Sequence, residues 1–393
     1  MKRKLTQIIA ATLFIITGLN AQSSPVANSN ATSEKKLKIS TRIQARAVAG
    51  QLYSDFASSN DWDAVDFNFR RIRLTLDYTG KSWYGSKVDI KGENLLTEGT
   101  NSKSSIQEAN IWFKPGLLGS KIFIGQFKLP FIRENFGSSS RLMVTERATA
   151  SSSTVLQQQD IGILLHLRPI GKLLDVFLSV TNGEGSGHDG VGAKKVQTDN
   201  AGEPVAGLYN WRIQFNPFGG VVKDGKDTGW SDGKEIFQSN TLLSIGIAGV
   251  HTTANESPNA TTATKFLFDK ELHGYTADFT LFLSGFYLNG EYTIFTGDSA
   301  TKDYSTYSAT AGYNVKLGNA YLMPVIRYNY VQADWDRNQT LADDEKETDI
   351  WAGVNFYLDK NSMKMQLFYR LRQDATGSTL QKDELYFQVQ ANL

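Results

Sequence analysis

The chain has 393 residues, with 41 Lys+Arg against 40 Asp+Glu, four histidines and no cysteine. Lack of thiols excludes disulfide frameworks, cysteine-ligated zinc and thiol catalysis, and four histidines leave little for a His-rich metal centre. Balanced charge speaks against nucleic acid as a partner, and a mean hydropathy of -0.32 excludes a bundle of membrane helices. Tyr (16), Phe (22) and Gly (34) are plentiful while Pro (8) is scarce, a mix suited to twisted, aromatic-rich β-structure.

The chain opens on a targeting pattern. Lys2, Arg3 and Lys4 precede an apolar core from Ile8 to Leu19, and Ala21 offers a small residue for cleavage before Gln22. A membrane-spanning helix needs about 20 apolar residues, so 1–21 reads as a secretory signal peptide. Its removal takes three basic residues and leaves a slightly acidic mature chain. Residues 22–36 (QSSPVANSNATSEKK) are small and polar and read as a flexible arm. No later segment approaches the length of a membrane helix, so the expectation is an exported protein not held by one.

From Leu37 the chain alternates. Leu37, Ile39, Thr41, Ile43, Ala45 and Ala47 are apolar or small, with Lys38, Ser40, Arg42, Gln44 and Arg46 between them. A strand puts the two sets on opposite faces. The same pattern recurs to the last residues, where Leu385, Phe387, Val389, Ala391 and Leu393 alternate with polar or amphipathic neighbours. The pattern predicts sixteen strands, at 37–48, 66–78, 83–93, 105–114, 120–128, 159–168, 172–180, 207–217, 240–251, 271–283, 285–295, 305–316, 320–332, 347–358, 362–372 and 383–393. Many have the length that a tilted strand needs to cross a bilayer, about 9–11 residues.

The gaps between these strands mostly alternate short and long. A bacterial outer-membrane barrel makes that prediction, with an even strand number, short periplasmic turns and longer extracellular loops. A soluble sandwich has no reason to. One gap breaks the rule: 218–239 (FGGVVKDGKDTGWSDGKEIFQS) stands where a short turn belongs, so either that turn is elongated or two strands have been miscounted. Aromatics near strand ends (Tyr78, Phe113, Tyr209, Trp211, Tyr292, Tyr313, Tyr328, Tyr330) suit interfacial girdles. A lipid-facing Lys or Arg at mid-membrane costs ~2–4 kcal/mol, and the bases of the best alternating strands all fall in the other register. The expected fold is therefore all-β, a 16-stranded antiparallel transmembrane β-barrel over 37–393 with outer-membrane lipid around it.

Parity assigns Lys38, Arg42, Arg46, Arg71, Arg73, Lys87 and Lys91 to the lumen wall, with Asp77 and Asp89 interleaved. Arginine can hold an oxyanion bidentately and lysine as a point charge, so this wall suits small inorganic anions. A mixed, salt-bridged wall is the alternative.

FRRIRLTL (69–76), IQEANIWFKPG (106–116), GQFKLPF (125–131) and VTERA (144–148), with NPFG (216–219) as a weaker element, resemble the phosphate-selective porin O and P family. The clearest similarity covers roughly 66–150. The resemblance implies a sixteen-stranded outer-membrane barrel, usually a homotrimer, passing anions along an Arg/Lys-lined path. The chain departs from the family in ending on Leu393, where many barrels end in Phe, and in showing no clear run of lumenal arginine in its second half.

In many sixteen-stranded porins the third extracellular loop folds into the barrel and sets the pore width. Here that loop is 129–158, and Arg133, Arg141 and Arg147 with Lys128 are the expected eyelet, opposed by Glu134 and Glu146. The alternative for Glu146 and Arg147 is to pin the loop to the wall.

Other patterns are weaker. DWDRNQTLADDE (334–345) spaces Asp334, Asp336, Asn338 and Glu345 like a calcium loop, but Gln339 holds the turn position that wants glycine. It reads as an acidic surface loop, and no metal or other cofactor is expected. NGEGSGHDG (182–190) leads into no helix, so its glycines are loop glycines. His166 reads as a structural histidine in the lumenal register. The competing functions are a general, non-selective porin for small hydrophilic solutes, a plugged structural or adhesion barrel, and an outer-membrane hydrolase needing a Ser/His pair; no catalytic residues are expected.

Overall fold

The computed structural model describes residues 35–50, 64–93, 106–148, 158–182, 208–218, 237, 241–253, 271–297, 304–332, 346–374 and 383–393. The expected signal peptide, residues 22–34 of the arm, the glycines of 182–190 and the whole 334–345 segment lie outside the described residues.

Five strands precede the third loop: β1 (Lys36–Gly50), β2 (Ala64–Lys81), β3 (Tyr84–Lys91), β4 (Ile106–Phe113) and β5 (Lys121–Lys128). After it come β6 (Gln159–Leu167), β7 (Leu174–Thr181), β8 (Leu208–Phe215), β9 (Leu242–Thr253), β10 (Glu271–Leu283) and β11 (Phe286–Gly297). The wall is completed by β12 (Tyr304–Tyr313), β13 (Val315–Leu317), β14 (Ala320–Gln332), β15 (Lys346–Asp359), β16 (Met363–Asp374) and β17 (Glu384–Asn392). Each strand pairs antiparallel with its neighbours in the sheet. β12 and β13 both pair with β14 and form one wall strand interrupted at Asn314, whose N–H turns to Gly285 O (2.8 Å). The wall is thus sixteen strands, as the alternation predicts.

The sheet closes on itself through β1 and β17, in register from Arg42↔Asn392 to Gly50↔Glu384. Thr41 and Leu393 exchange both backbone hydrogen bonds at 2.9 Å. Leu393 therefore sits in the seam despite not being Phe, and among the described residues the sheet has no free edge for another chain to pair with. The long gap at 218–239 is an elongated connection rather than a miscount, because β8 pairs directly with β9 from Leu208↔Thr252 to Phe215↔Ile245.

Burial is inverted relative to a water-soluble protein. Ile39, Phe67, Ile163, Trp211, Ile247, Tyr292 and Phe387 face outward and are exposed, while Gln44, Arg212, Asp278, Asn355 and Gln390 are among the buried polar residues inside. An apolar exterior over a polar interior suits a wall that meets hydrocarbon. Strict alternation fails once with consequence. A β-bulge makes Gln44 face Arg71 and Ala45 face Phe69, which leaves Arg70 as the extra residue. Phe69 stays on the outer face, while Arg70 and Arg71 both reach inward. Bulges re-aim a side chain in this way, and the FRRIR sequence delivers three bases to the lumen where parity alone gives two.

Gly125 in β5 sits at φ +117, and a Cβ there would lie 2.3 Å from Ala109 O. The glycine of the GQFK segment is needed because two backbones approach closely at a strained angle. Gly125→Ala is expected to cost ~1–3 kcal/mol, read as a lower urea midpoint for barrel unfolding in micelles. An unchanged midpoint would show that the strand relaxes freely.

Candidate functional site

The third loop folds into the barrel and crosses it. Leu129, Phe131 and Ile132 enter an apolar cluster with Phe127, Leu164, Phe177, Leu208, Val250, Phe295 and Val331 of the inner wall. Further along, Met143 and Val144 join a second cluster with Phe282, Met323, Trp351, Tyr357 and Phe368. The two clusters use inward-facing apolar positions that parity assigns to a polar lumen. Their purpose is to bury the loop, at about 25 cal/mol per Å² of apolar surface removed from water.

Polar anchors fix the crossing on every side. Arg212 donates to both Asp278 oxygens (2.7 and 2.8 Å) and to Phe131 O (3.1 Å). Arg327 donates to Glu146 O (2.9 Å) and Glu134 Oε1 (2.5 Å). Asn355 donates to Met143 O (2.8 Å), Lys364 to Leu142 O (2.9 Å) and Gln390 to Ser140 O (3.1 Å). From β1, Arg42 donates to Ser139 Oγ (2.8 Å) and Ser138 Oγ (3.2 Å). The loop is thus held by backbone carbonyls as much as by its own side chains, which the sequence of the loop cannot show.

Four residues were expected in the eyelet, and the structure separates them. Lys128 donates to Gly137 O (2.7 Å), and Lys128 and Arg141 both line the open cavity described below. Arg147 donates to Glu134 O (3.1 Å), and burial, together with the neighbouring Arg70, lowers its pKa to about 10 against the opposing pull of Glu134 and Glu146. Arg133 lies apart from the cavity that Lys128 and Arg141 line. It is buried within 3.5 Å of Asp278 and 3.4 Å of Ser244, on the far wall, and its N–H meets Glu291 (3.3 Å). It anchors the loop; its carboxylate partner lies on a strand distant in sequence, which spacing cannot reveal.

Glu146 is the loop's main carboxylate on the β1–β2 side. It accepts from Arg46 (2.5 Å) and from Arg70 through both oxygens (2.5 and 2.7 Å), with Arg71 Nη2 at 3.9 Å. Burial alone would raise its pKa, but the Arg70 hydrogen bonds and the charges of Arg70, Arg71 and Arg46 outweigh it and pull the value down to about 2. Around Glu146 the bases are in excess, with Arg46, Arg70 and Arg71 all within 4 Å of it. Arg46 Nε, Arg71 Nη2 and Arg147 Nη2 are buried donors with no hydrogen-bond partner among the described residues.

Below the loop, toward the end that carries the short turns, opens a cavity of about 1060 Å³ bounded by β1–β7 and by Phe136–Ser139 and Arg141 of the loop. Nine Lys/Arg side chains line it against three carboxylates, Asp77, Asp89 and Glu108, so a nearly neutral chain presents a basic lumen. Lys38, Arg42 and Lys87 of the parity reading line it, Lys87 paired with Glu108 at 2.9 Å. Arg71 and Arg73 lie inside and buried; Arg71 donates to Gln44 (2.8 Å) and Arg73 to Gln107 (2.8 Å) and Glu93. Lys91 stands opposite Arg73 in the register. His166 holds Asp175 (2.7 Å) and stacks on Phe177 at 4.2 Å, the structural role expected of it.

The second half of the chain does contribute lumenal arginine. Arg212, Arg327 and Arg370 are all inward and buried, one each from β8, β14 and β16. They form no run along the sequence because each comes from a different strand.

A closed sixteen-stranded antiparallel wall with its third loop anchored across the lumen is the architecture of an outer-membrane porin. The chain belongs to the phosphate-selective porin O and P family, whose model matches residues 41–390. An uncharacterized protein of Aquifex aeolicus is 24% identical over 353 residues, covering 84% of this chain and 80% of that protein. Among solved structures, the anion-selective porin from Comamonas acidovorans superposes with TM-score 0.57 at 11% identity, covering 92% of this chain and 100% of that one. The outer-membrane channel DcaP of Acinetobacter baumannii gives 0.53 at 13%, covering 94% and 100%. A trimer form of OmpT, an outer-membrane protein of Vibrio cholerae, gives 0.52 at 11%, covering 91% and 99%. At these identities the likeness is one of fold.

Proposed function

We propose that this porin is an anion-biased channel that passes small oxyanions of the phosphate class by diffusion, without chemistry of its own. The observation that carries this reading is the surplus of base at the loop: buried guanidinium donors on Arg46, Arg71 and Arg147 have no hydrogen-bond partner among the described residues and lie beside a vestibule where nine bases face three acids. A buried donor left unpaired costs ~1–3 kcal/mol, and a passing oxyanion supplies the missing acceptors. Low-dielectric walls with one sign of charge also concentrate ions of the other sign. The path runs from Lys38 and Lys87 in the vestibule to Arg42, Lys128 and Arg141, then past Arg71, Arg73 and Arg147. Arg133 is not part of it. The family and a porin neighbour described as anion-selective agree with this direction, and a neighbour described as a trimer supports assembly of three copies in outer-membrane lipid after removal of residues 1–21.

The reversal potential across a KCl gradient in a planar bilayer tests the reading. Anion preference, with chloride current reduced by added phosphate, is the expected result. Open channels with no anion preference would leave a general porin and overturn the reading, and an absence of current would overturn it in favour of a plugged barrel.

A further inference from the structure

Two of the four histidines meet on the outside of the barrel, away from the lumen. His251 of β9 and His273 of β10 are directly opposite in the register. Both lie in the outward-facing parity, His251 with Ile245 and Ile247 and His273 with Tyr275 and Phe279, and both are half-buried rather than covered. They stand at the loop end of the wall, beside Tyr209 and one step outward of Tyr275. Exposed aromatics there mark the level where hydrocarbon gives way to water.

The Nδ1 atoms are 3.1 Å apart, and the rings stack with centroids 4.5 Å apart and planes at 28°. Imidazole lone pairs and N–H bonds lie in the ring plane. One Nδ1 donates to the other, with the direction set by the tautomers, so the two nitrogens share one proton. A cation that replaces that proton, with a small rotation of the rings, meets both nitrogens at once. With metal–nitrogen distances of about 2.0–2.1 Å, two nitrogens on one ion sit roughly 2.9 Å apart at a right angle and roughly 3.4 Å apart at the tetrahedral angle. The observed spacing falls between these.

We infer that His251 and His273 form a two-imidazole site for a borderline divalent transition ion such as Zn²⁺, Ni²⁺ or Cu²⁺ on the outer wall, at the base of the connection between β9 and β10. Imidazole suits these ions, whereas hard ions such as Ca²⁺ and Mg²⁺ prefer oxygen. Among the described residues no group of three or more His, Cys, Asp or Glu is placed to hold a metal, so the ion keeps open positions for water and binds with intermediate rather than structural affinity. An ion held here ties two neighbouring strands where the wall meets the longer loops, and it stabilises the barrel by mass action.

The test is calorimetric titration of tag-free mature protein in micelles with Zn²⁺ and Ni²⁺, beside His251→Gln, His273→Gln and, as control, His166→Gln. One ion per chain is expected, with either outer-wall variant weakening it about tenfold or more, because the second imidazole binds as an intramolecular ligand. His166→Gln and the Ca²⁺ titration should leave the site unchanged. Bound Cu²⁺ should show two equivalent nitrogens by electron paramagnetic resonance in the wild type and one in each single variant. No binding, or binding that survives both substitutions, overturns the site. Both side chains face outward, so the variants should keep wild-type unfolding midpoints in the absence of metal, which separates a lost ligand from a lost fold.

Discussion

Asp278→Ala is expected to be among the most damaging single substitutions in the barrel, at about 3–5 kcal/mol. Asp278 and Arg212 are both fully buried, and Asp278 also lies within 3.5 Å of Arg133. Removing the carboxylate leaves two guanidinium groups inside the wall with their main counter-charge gone. The loss is more than electrostatic, because Arg212 also holds Phe131 O and Arg133 opens the lumenal helical turn at Arg133–Phe136. The first half of the loop therefore loses its seat on β8–β11. Two readouts should move together: the urea midpoint falls, and single-channel current becomes larger and noisier as the loop swings. Replacing both partners, Arg212→Met with Asp278→Leu, should recover much of the midpoint, since apolar groups of similar volume remove the desolvation cost with the charges. A double variant as unstable as the single one would show that packing of the loop, rather than an orphaned charge, sets the penalty.

The contrast between Arg133 and Arg141 shows what was legible in this chain. Strand number, order and the outer apolar face could be read because each depends on a period of two within one segment and on gap lengths that alternate. Infolding of 129–158 is an expectation from resemblance, and the described part of that loop, 129–148, packs against residues of the inner wall. What could not be read depends on pairs far apart in sequence. Nothing near Arg133 indicates that Asp278 lies beside it, so its position inside the loop suggests the eyelet, while the structure places it against Asp278 and Ser244. Arg70 was missed because a bulge is a fault in the very periodicity used to place it. Arg212, Arg327 and Arg370 were missed for a different reason. Each lies between outward aromatic or apolar neighbours, such as Trp211 and Ile213 around Arg212, so parity did mark them as lumenal. A run along the chain is not the signature of such a path, because barrel closure assembles one across strands. The apolar inner clusters were likewise invisible to a rule that makes every inward residue polar, because those positions answer to the loop and not to water.

Glu146→Gln and Arg147→Gln should shift ion preference in opposite directions although the residues are adjacent. Glu146 neutralises Arg46 and Arg70 at hydrogen-bond distance and Arg71 at 3.9 Å, so its loss uncovers positive charge on the path. Arg147 carries one of the donors with no hydrogen-bond partner among the described residues, and its loss removes positive charge. Unit charges 4 Å apart interact by ~1 kcal/mol in bulk water and by ~4 kcal/mol at an effective dielectric of 20. Even the smaller figure changes a permeability ratio about fivefold, measurable as a reversal-potential shift toward chloride for Glu146→Gln and away from it for Arg147→Gln. Acid should mimic the first variant. The folded-state pKa of Glu146 is depressed from 4.5 to about 2, so the stabilisation it gives the loop is present above pH 4.5 and is lost as pH falls through about 2. That difference corresponds to about 3 kcal/mol. Wild-type preference attributable to Glu146 should hold down to about pH 3 and become more anionic only below it, while Glu146→Gln should lack that step. If both substitutions instead lower selectivity and raise conductance together, the pair acts by fastening the loop, and the charge-based path past Arg147 would be wrong.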